Sequence, residues 1–480
     1  MGNQNDSSFK LIIPDLNTED KELIKTFQKN PRMNLTSKEY NILLKIFFTH
    51  QTELYPINDK HLFQFKKNIE KLREKIYSIK KEVSPEKYYS LSCILGAFLG
   101  DSLGSYCEFK SLSLDNSKLI YTGDNIFGKP PGQTTDDSEM ALSMAFAIMD
   151  NNNLNEINSN INYYYYGCWL YSKPFDIGNT TYNALKFFNF GYNIGDNILD
   201  KCEFNDKVKN SMADGFLMRI SPFVVWFYYI FYSRVSNALK SDNKTIFYEL
   251  FIKIKYQGLK DNICTHPNKS NHSYTALFVF LALTAMFGYP PEIILNKFLI
   301  LLSNEFIDEY DKKATKKTKS ILNDFKKPDF EKYLYFSSII VDMGSYIHSY
   351  KLTLYYLTFF DEYKEDPDNN YSLFRVIMNE ICNFGGDTDT NCAIVATVLG
   401  PIIGFDNFGE ELKILLNHIP DDRIQYTNAL IYYYIDFLEK VSEEEEEIIN
   451  NDEDHSKNDQ IRYFTLTFLL NILYNDIIDL

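Results

Sequence analysis

Two short runs of aspartate and threonine carry the residue types most suited to holding metal ions. One run reads GQTTDDSEM at 132–140, and the other reads NFGGDTDTN at 383–391. Carboxylate and hydroxyl oxygens are the hard ligands that magnesium, manganese and calcium prefer. Two neighbouring cations need several oxygen ligands and bridging groups, so we expect one binuclear site that is shared by both runs.

The first run stands directly before a helical pattern of apolar residues. That pattern consists of Met140, Ala141, Met144, Ala145 and Ile148. Acidic residues in such a place commonly cap free N–H groups and face the positive end of the helix dipole. One carboxylate would be enough for a cap, whereas Asp136 and Asp137 supply two. Capping and metal binding both remain open for this run taken alone.

The second run follows a pair of glycines, Gly385 and Gly386, which free the backbone to turn sharply. We expect Asp387 and Asp389 to project to one side of a short extended loop. Thr390 is expected to open the apolar helix that follows. This run is the sharpest signal of a site in the chain.

Three glycines recur at every fourth residue in LSCILGAFLGDSLGSYCEF at 91–109, namely Gly96, Gly100 and Gly104. On a helix they form one smooth stripe that another backbone can approach closely. Glycine weakens a helix, so packing must compensate for its presence. A tight helix crossing is the simpler interpretation, while Asp101 and Glu108 add polar groups that are typical of a nearby site.

Three further polar segments lie between the two runs, at 173–181 (KPFDIGNTT), 213–222 (ADGFLMRISP) and 265–267 (THP). They contain turn and helix-start residues. Taken singly, each is more often structural than functional. Arg219 would then be a buried ion-pair partner and His266 a hydrogen-bonded polar residue.

The elements that must position these residues are helical, because apolar residues recur at helical spacing and period-two alternation is scarce. We predict an all-α fold with a helical extension at 1–85 and a compact multi-helix domain at 86–440. Eight acidic residues within 441–455 predict a solvated linker. The apolar stretch that ends at residue 480 is expected to dock as a last helix, with an exposed partner-binding helix as the alternative.

The composition excludes several classes of function. A net charge of −16 argues against binding to nucleic acid or to an anionic membrane. Seven scattered cysteines without a CxxC pair favour a reducing, cytoplasmic location. The longest apolar run, at 276–289, is too short to span a bilayer and predicts a buried core helix. Gly2 begins an imperfect myristoylation motif, since Asp6 stands where serine or threonine is usual.

Six motifs along residues 86–440 resemble, in order, those of the ADP-ribosylglycohydrolase family, whose members include dinitrogenase reductase-activating glycohydrolase. They are Gly-Ala-x-x-Gly-Asp-x-Leu-Gly from Gly96, Thr-Asp-Asp-Ser-Glu-Met from Thr135, Asp-Ile-Gly-x-Thr-Thr from Asp176, Gly-x-x-Met-Arg from Gly215, Thr-His-Pro from Thr265 and Gly-Gly-Asp-Thr-Asp-Thr from Gly385. Any one motif is weak, but the ordered set is highly specific.

The resemblance implies an all-α domain that holds two magnesium or manganese ions in a cleft for ADP-ribose. Six residues match the metal-ligand positions of the family: Thr135, Asp136, Asp137, Asp387, Asp389 and Thr390. Glu108 matches a position where some members carry an acidic residue that acts at the metal centre or as a proton donor. The pocket for ADP-ribose is implied to include Asp214, Gly215, Phe216, Leu217, Met218 and His266. Asp214 is a departure, because members usually have asparagine there and a carboxylate would repel a diphosphate unless it faced away or were neutralised.

The resulting prediction is a metal-dependent hydrolase that removes ADP-ribose from modified protein side chains, with arginine as the first choice and serine as the second. Cleavage at the ribose C1″ develops positive charge there, and it needs a positioned water and a proton for the leaving group. We assign the aspartates to metal holding, with Asp136, Asp137 or Asp389 assisting the water and Glu108 acting as acid or orienting group. The alternatives are hydrolysis of a free ADP-ribose derivative and a catalytically silent ADP-ribose-binding or structural protein.

Overall fold

The structure, a computed structural model, describes residues 17–29, 35–54, 59–79, 84–109, 123–189, 197–201, 204–327, 344–364, 371–420 and 423–448. These residues contain twenty α-helices, four short 3-10 helices and no β-strand, apart from a single bridge between Ala213 and Ser345. The prediction of an all-α fold is confirmed.

The helices follow one another along the chain with short connections. They are α1 Thr18–Lys29, α2 Ser37–Leu54, α3 Asp59–Ser78, α4 Pro85–Gly104, α5 Asp136–Met149, α6 Ser159–Tyr171, α7 Asn179–Leu185, α8 Asp206–Lys209, α9 Ser221–Ile230, α10 Tyr232–Ser241, α11 Lys244–Asn262, α12 Lys269–Met286, α13 Pro291–Leu302, α14 Glu309–Asp324, α15 Tyr346–Thr358, α16 Phe360–Lys364, α17 Leu373–Phe384, α18 Thr388–Ile403, α19 Glu411–Asn417 and α20 Ile431–Ile448. The 3-10 helices are Leu199–Lys201, Phe405–Asn407, Ile424–Tyr426 and Asn428–Leu430.

The crossing of α4 and α18 is the most extensive helix contact among the described residues. The glycine stripe of α4 lies at this crossing. A Cβ added to Gly100 would lie 2.6 Å from the carbonyl oxygen of Cys392, and one added to Gly104 would overlap the carbonyl oxygen of Thr388. The stripe is therefore a tight helix crossing, as expected, and it presses α4 against the start of the helix that follows the second acidic run.

The core also contains the long apolar run that the sequence assigned to a buried helix. Every residue of α12 from Asn271 to Met286 is buried. The helix ends there, because Phe287 and Gly288 form a turn in which Gly288 has a positive φ of 74°. None of the described helices is long and apolar enough to cross a membrane.

The N-terminal extension is helical and packs on the main domain. Helices α2 and α3 contact α6, α20 and the 3-10 helix Asn428–Leu430. The apolar face of α3 is buried through Phe65, Ile69, Leu72 and Ile76. Residues 1–16, with the myristoylation motif, lie outside the described residues.

The C-terminal boundary differs from the one drawn from the sequence. Helix α20 continues to Ile448, so residues 441–448 are helical and do not begin a linker. Glutamate is a good helix former, and the helix is already anchored by the buried Ile435 and Leu438. The remaining residues 449–480, including the expected last helix, lie outside the described residues.

Candidate metal centre and active site

Both acidic runs and the end of α4 meet in one buried cluster of carboxyl groups. Among the described residues, two trios have oxygen atoms that all lie within 4.8 Å of one another. One trio is Asp101, Asp137 and Asp389, and the other is Glu108, Asp176 and Asp389. Asp389 belongs to both trios, so residues that are distant in the sequence form one continuous set of oxygen donors.

Asp101 caps the helix that carries the first run. Its carboxylate accepts hydrogen bonds from the backbone N–H groups of Thr135, at 3.0 Å, and Ser138, at 3.1 Å. It also accepts from the Thr135 hydroxyl at 2.9 Å and from the Ser138 hydroxyl. Because a residue of another helix satisfies the first turn of α5, Asp136 and Asp137 are not needed as caps.

The side chain of Asp137 faces residues of the second run. Its Oδ2 lies 3.1 Å from the Thr135 hydroxyl and 3.3 Å from the Thr390 hydroxyl. The Thr135 hydroxyl also lies 3.1 Å from Oδ2 of Asp389. The other carboxylate oxygen of Asp137 is buried and accepts no hydrogen bond from the described part of the chain. It thus keeps its lone pairs for a ligand.

The second run begins its helix earlier than expected. Asp387 is the N-cap residue and α18 starts at Thr388, so Asp389 and Thr390 lie in the first helical turn and not in an extended loop. The Thr388 hydroxyl donates a hydrogen bond of 2.7 Å to the carbonyl oxygen of Gly104. The sharp turn before it is made by Gly385 and Gly386, which have positive φ angles of 76° and 82°. Packing on α4 therefore fixes where the helix begins.

Burial and mutual repulsion keep these carboxyl groups from ionising freely. Burial and the charges of Asp389 and Asp136 raise the pKa of Glu108 to about 10. Burial and the charge of Asp136 raise the pKa of Asp176 to about 9. Burial and neighbouring carboxylates likewise raise the pKa of Asp137, Asp387 and Asp389 well above the usual range. Several buried carboxylates can be charged together only beside a compensating positive charge.

The donor set fits divalent cations. It consists of hard oxygen atoms, and two of them, Oδ1 of Asp137 and Oε2 of Glu108, are buried without a hydrogen-bond partner among the described residues. Oxygen ligands of this kind suit magnesium, manganese and calcium. The buried acidic clusters are thus consistent with metal binding.

In the metal-free protein, stability is expected to fall as the pH rises from about 5 to about 8. Burial raises the pKa of Asp101 to about 6, of Asp214 to about 7 and of Glu139 to about 7. A carboxyl group with a raised pKa in the folded state favours folding while it is protonated, and this contribution is lost as the pH passes that pKa.

Thermal unfolding in EDTA across this range measures the effect. Repeating the series with Mn²⁺ is the control, because a bound cation compensates the charges and should remove most of the loss. An unfolding temperature in EDTA that stayed constant across this range would contradict the expectation.

The predicted substrate loop and His266 lie together. A Cβ added to Gly215 would lie 2.7 Å from Cε1 of His266, so the backbone passes directly over the imidazole. His266 is buried, with Nδ1 2.8 Å from the Thr265 hydroxyl, and burial lowers its pKa and keeps it neutral. Phe216 and Leu217 are fully buried, so their side chains support the loop from the core.

Asp214, the departure from the family pattern, lies at the edge of the acidic cluster. Its carboxylate accepts a hydrogen bond of 3.3 Å from Ser349, and its N–H donates to the carbonyl oxygen of Gly344 at 3.2 Å. Together with burial, its charge raises the pKa of Asp387. Asp214 is itself buried, and its pKa of about 7 makes it partly protonated at neutral pH.

Arg219 is a buried ion-pair partner, as expected. Its Nη2 lies 3.0 Å from Oδ2 of Asp261, and both side chains are completely buried. Its Nη1 also donates a hydrogen bond of 2.8 Å to the carbonyl oxygen of Gly215. The ion pair therefore supports the substrate loop from below.

Sequence reasoning did not select Asp101 or Asp176 as site residues. Both stand inside recognised motifs, so their positions were a signal that could have been used. Asp101 follows the second glycine of the stripe, and Asp176 precedes Ile177-Gly178. Asp176 makes a hydrogen bond with Asp136, whose Oδ2 also lies 3.3 Å from the N–H of Gly178.

The fold and the site together define an all-α protein with a buried carboxylate cluster suited to metal ions. The sequence profile of the ADP-ribosylglycohydrolase family matches residues 87–435, and the chain belongs to this family. Over 331 residues the chain is 28% identical to a protein of Acanthamoeba polyphaga mimivirus that has been assigned as an ADP-ribosyl glycohydrolase, covering 65% of this chain and 86% of that protein. A solved structure described as an ADP-ribosylglycohydrolase-related protein complex has a TM-score of 0.47 and 18% identity, covering 73% of this chain and 98% of that one.

Proposed function

We propose that this chain is a metal-dependent hydrolase that releases ADP-ribose from modified protein side chains by cleaving the glycosidic bond at the ribose C1″. The observation that carries this proposal is the position of Asp389 in two carboxylate trios, within a chain of the ADP-ribosylglycohydrolase family. A carboxylate shared by two neighbouring donor sets is suited to bridge two cations. A purely structural protein has little need for so many convergent buried carboxylates.

The proposed cofactors are two divalent cations, magnesium or manganese. The proposed ligands are Thr135, Asp136, Asp137, Asp387, Asp389 and Thr390. The hydroxyl contacts of Thr135 and Thr390 with Asp137 support this set, since they hold the two runs face to face. When bound, such cations orient ribose hydroxyls and lower the pKa of a coordinated water.

The residues of the chain supply the remaining chemistry. Glu108 lies against Asp389, and burial together with that neighbouring charge favours its protonated form. It is therefore the proposed proton donor to the leaving group, while Asp136, Asp137 or Asp389 accepts a proton from the attacking water. The Gly215 loop and His266 are proposed to bind ADP-ribose through the exposed edge of this buried pair. The neutral imidazole adds no charge to a pocket for a diphosphate.

Arginine is the preferred linkage because the site is acidic at the position of Asp176 and Glu108. Asp176 is only half-buried and lies in one trio with Glu108 and Asp389. A guanidinium leaving group is cationic and gains from neighbouring carboxylates, whereas a serine hydroxyl is neutral and gains nothing from them. Serine is therefore the second choice.

The test is incubation with mono-ADP-ribosylated arginine and serine peptides in Mg²⁺ or Mn²⁺, and then in EDTA. We expect ADP-ribose release from the arginine peptide that stops when the metal is removed. Release that continues unchanged in EDTA would contradict the metal dependence. Failure with both peptides and with free ADP-ribose derivatives, in a protein that still binds Mn²⁺, would support the alternative of a silent ADP-ribose-binding protein.

A further inference from the structure

We infer that Arg423 is a positioning residue that fastens the metal-ligand turn of α5 to the loop that carries Asp176. The inference rests on the proposed metal-dependent function and assigns a role to a residue outside all six motifs. Arg423 lies in the connection between α19 and α20, close to the end of the family match at residue 435.

The first contact of Arg423 is an ion pair with α5. Its Nη1 lies 2.5 Å from Oε2 of Glu139, and the two side chains are 3% and 1% exposed. Glu139 follows Asp136 by three residues, so both lie on one face of the first helical turns. The indole N–H of Trp169 donates to the same carboxylate oxygen at 2.9 Å. Glu139 is thus held from two sides, and the ligand-bearing turn is held with it.

The second contact of Arg423 reaches the Asp176 loop. Its Nη2 donates a hydrogen bond of 2.8 Å to the hydroxyl of Ser172, the residue that ends α6. The loop that starts there returns to α5, where the N–H of Gly178 lies 3.3 Å from Oδ2 of Asp136. One planar guanidinium therefore joins the two segments that meet at the acidic cluster.

Arg423 also brings a positive charge close to this cluster. Burial raises the pKa of Asp136 and of Glu139, and the positive charge of Arg423 opposes the rise at both. A buried ion pair adds little net stability, because loss of hydration offsets the attraction. A positioning role explains the geometry better than a stabilising one, since the two contacts of Arg423 lead to both sides of one site.

The N-terminal helices form part of the seat of Arg423. Its guanidinium lies 4.7 Å from the centre of the Tyr426 ring, and that ring lies 6.4 Å from the ring of Phe48 on α2. Helix α2 also contacts the other end of α5, where the Tyr40 hydroxyl donates to Asp150 at 3.0 Å. An element outside the family match thus touches both ends of the helix that carries Asp136 and Asp137.

The test is the substitution Arg423→Lys in the full chain, with the affinity for Mn²⁺ measured by electron paramagnetic resonance of the free ion. Lysine keeps the charge but lacks the planar fork that makes two directed contacts. We expect Mn²⁺ binding to weaken about tenfold, the lower end of the effect of outer partners on metal sites. The unfolding temperature in EDTA should stay close to that of the wild type.

The matched control is Arg375→Lys, which alters another largely buried ion pair. Arg375 Nη1 lies 2.6 Å from Oε1 of Glu411, with side chains 12% and 13% exposed. Unchanged Mn²⁺ affinity in this variant, together with the loss in Arg423→Lys, supports the inference. Equal affinity in wild type and Arg423→Lys would overturn it, and so would an equal loss in both variants. A wild type that binds no Mn²⁺ would overturn the metal dependence itself, a separate outcome that needs no substrate to detect.

Discussion

Asp389→Asn is expected to abolish ADP-ribose release while leaving the helical circular dichroism nearly unchanged. Asp389 belongs to both carboxylate trios, so its loss weakens both donor sets together. Loss of an outer partner of a metal ligand commonly costs about 10- to 100-fold, so loss of a shared ligand should exceed about 100-fold in release rate. Release rate and Mn²⁺ affinity are the two measurements.

The fold should not suffer in this variant. Asp389 is buried among like charges, which raise its pKa well above the usual range together with burial. Removing one of these charges relieves repulsion, so the unfolding temperature in EDTA should stay constant or rise. Asp324→Asn is the matched control, because Asp324 lies on α14 and pairs with Lys327 at 2.6 Å. Full activity in both Asp387→Asn and Asp389→Asn would remove the metal assignment.

Gly104→Ala is expected to lower both stability and metal affinity. The added methyl group would overlap the backbone of Thr388 and Asp389 at the start of α18. Overpacking of this kind costs about 1–3 kcal/mol, and here the backbone that must move carries a proposed ligand. Urea unfolding in EDTA and Mn²⁺ affinity should therefore change together.

The control is the first glycine of the same stripe. A Cβ added to Gly96 would lie 2.9 Å from the carbonyl oxygen of Ala396, about two helical turns beyond Asp389. Gly96→Ala should then reduce stability while Mn²⁺ affinity stays close to that of the wild type. Wild-type stability and affinity in Gly104→Ala would show that the crossing is looser than the structure indicates.

The sequence was sufficient to predict the helical fold and the crossing but not the partner in the crossing. The spacing of Gly96, Gly100 and Gly104 predicts a smooth helix face, because that depends on local periodicity alone. That this face meets α18 depends on packing between residues nearly 300 positions apart. No local pattern encodes that distance.

The ambiguity between capping and metal binding had the same origin. Asp136 and Asp137 stand where caps commonly occur, and the cap is instead supplied by Asp101, which lies 34 residues before Thr135. The role of Arg423 is harder still to read, since its partners Glu139 and Ser172 lie more than 250 residues earlier in the chain. Motif order identified the family, whereas these contacts exist only in the folded chain.

The glycine stripe has a consequence for the choice of cation. The separation of the two ligand runs is set by backbone resting on backbone, with no flexible side chain between α4 and α18 at Gly100 and Gly104. Such a contact yields little when ions of different radius are offered. Magnesium requires near-ideal octahedral geometry at about 2.0–2.1 Å, whereas calcium accepts looser shells at about 2.3–2.6 Å. Discrimination by ionic size would then originate in the absence of side chains on a helix, at a distance from any ligand atom.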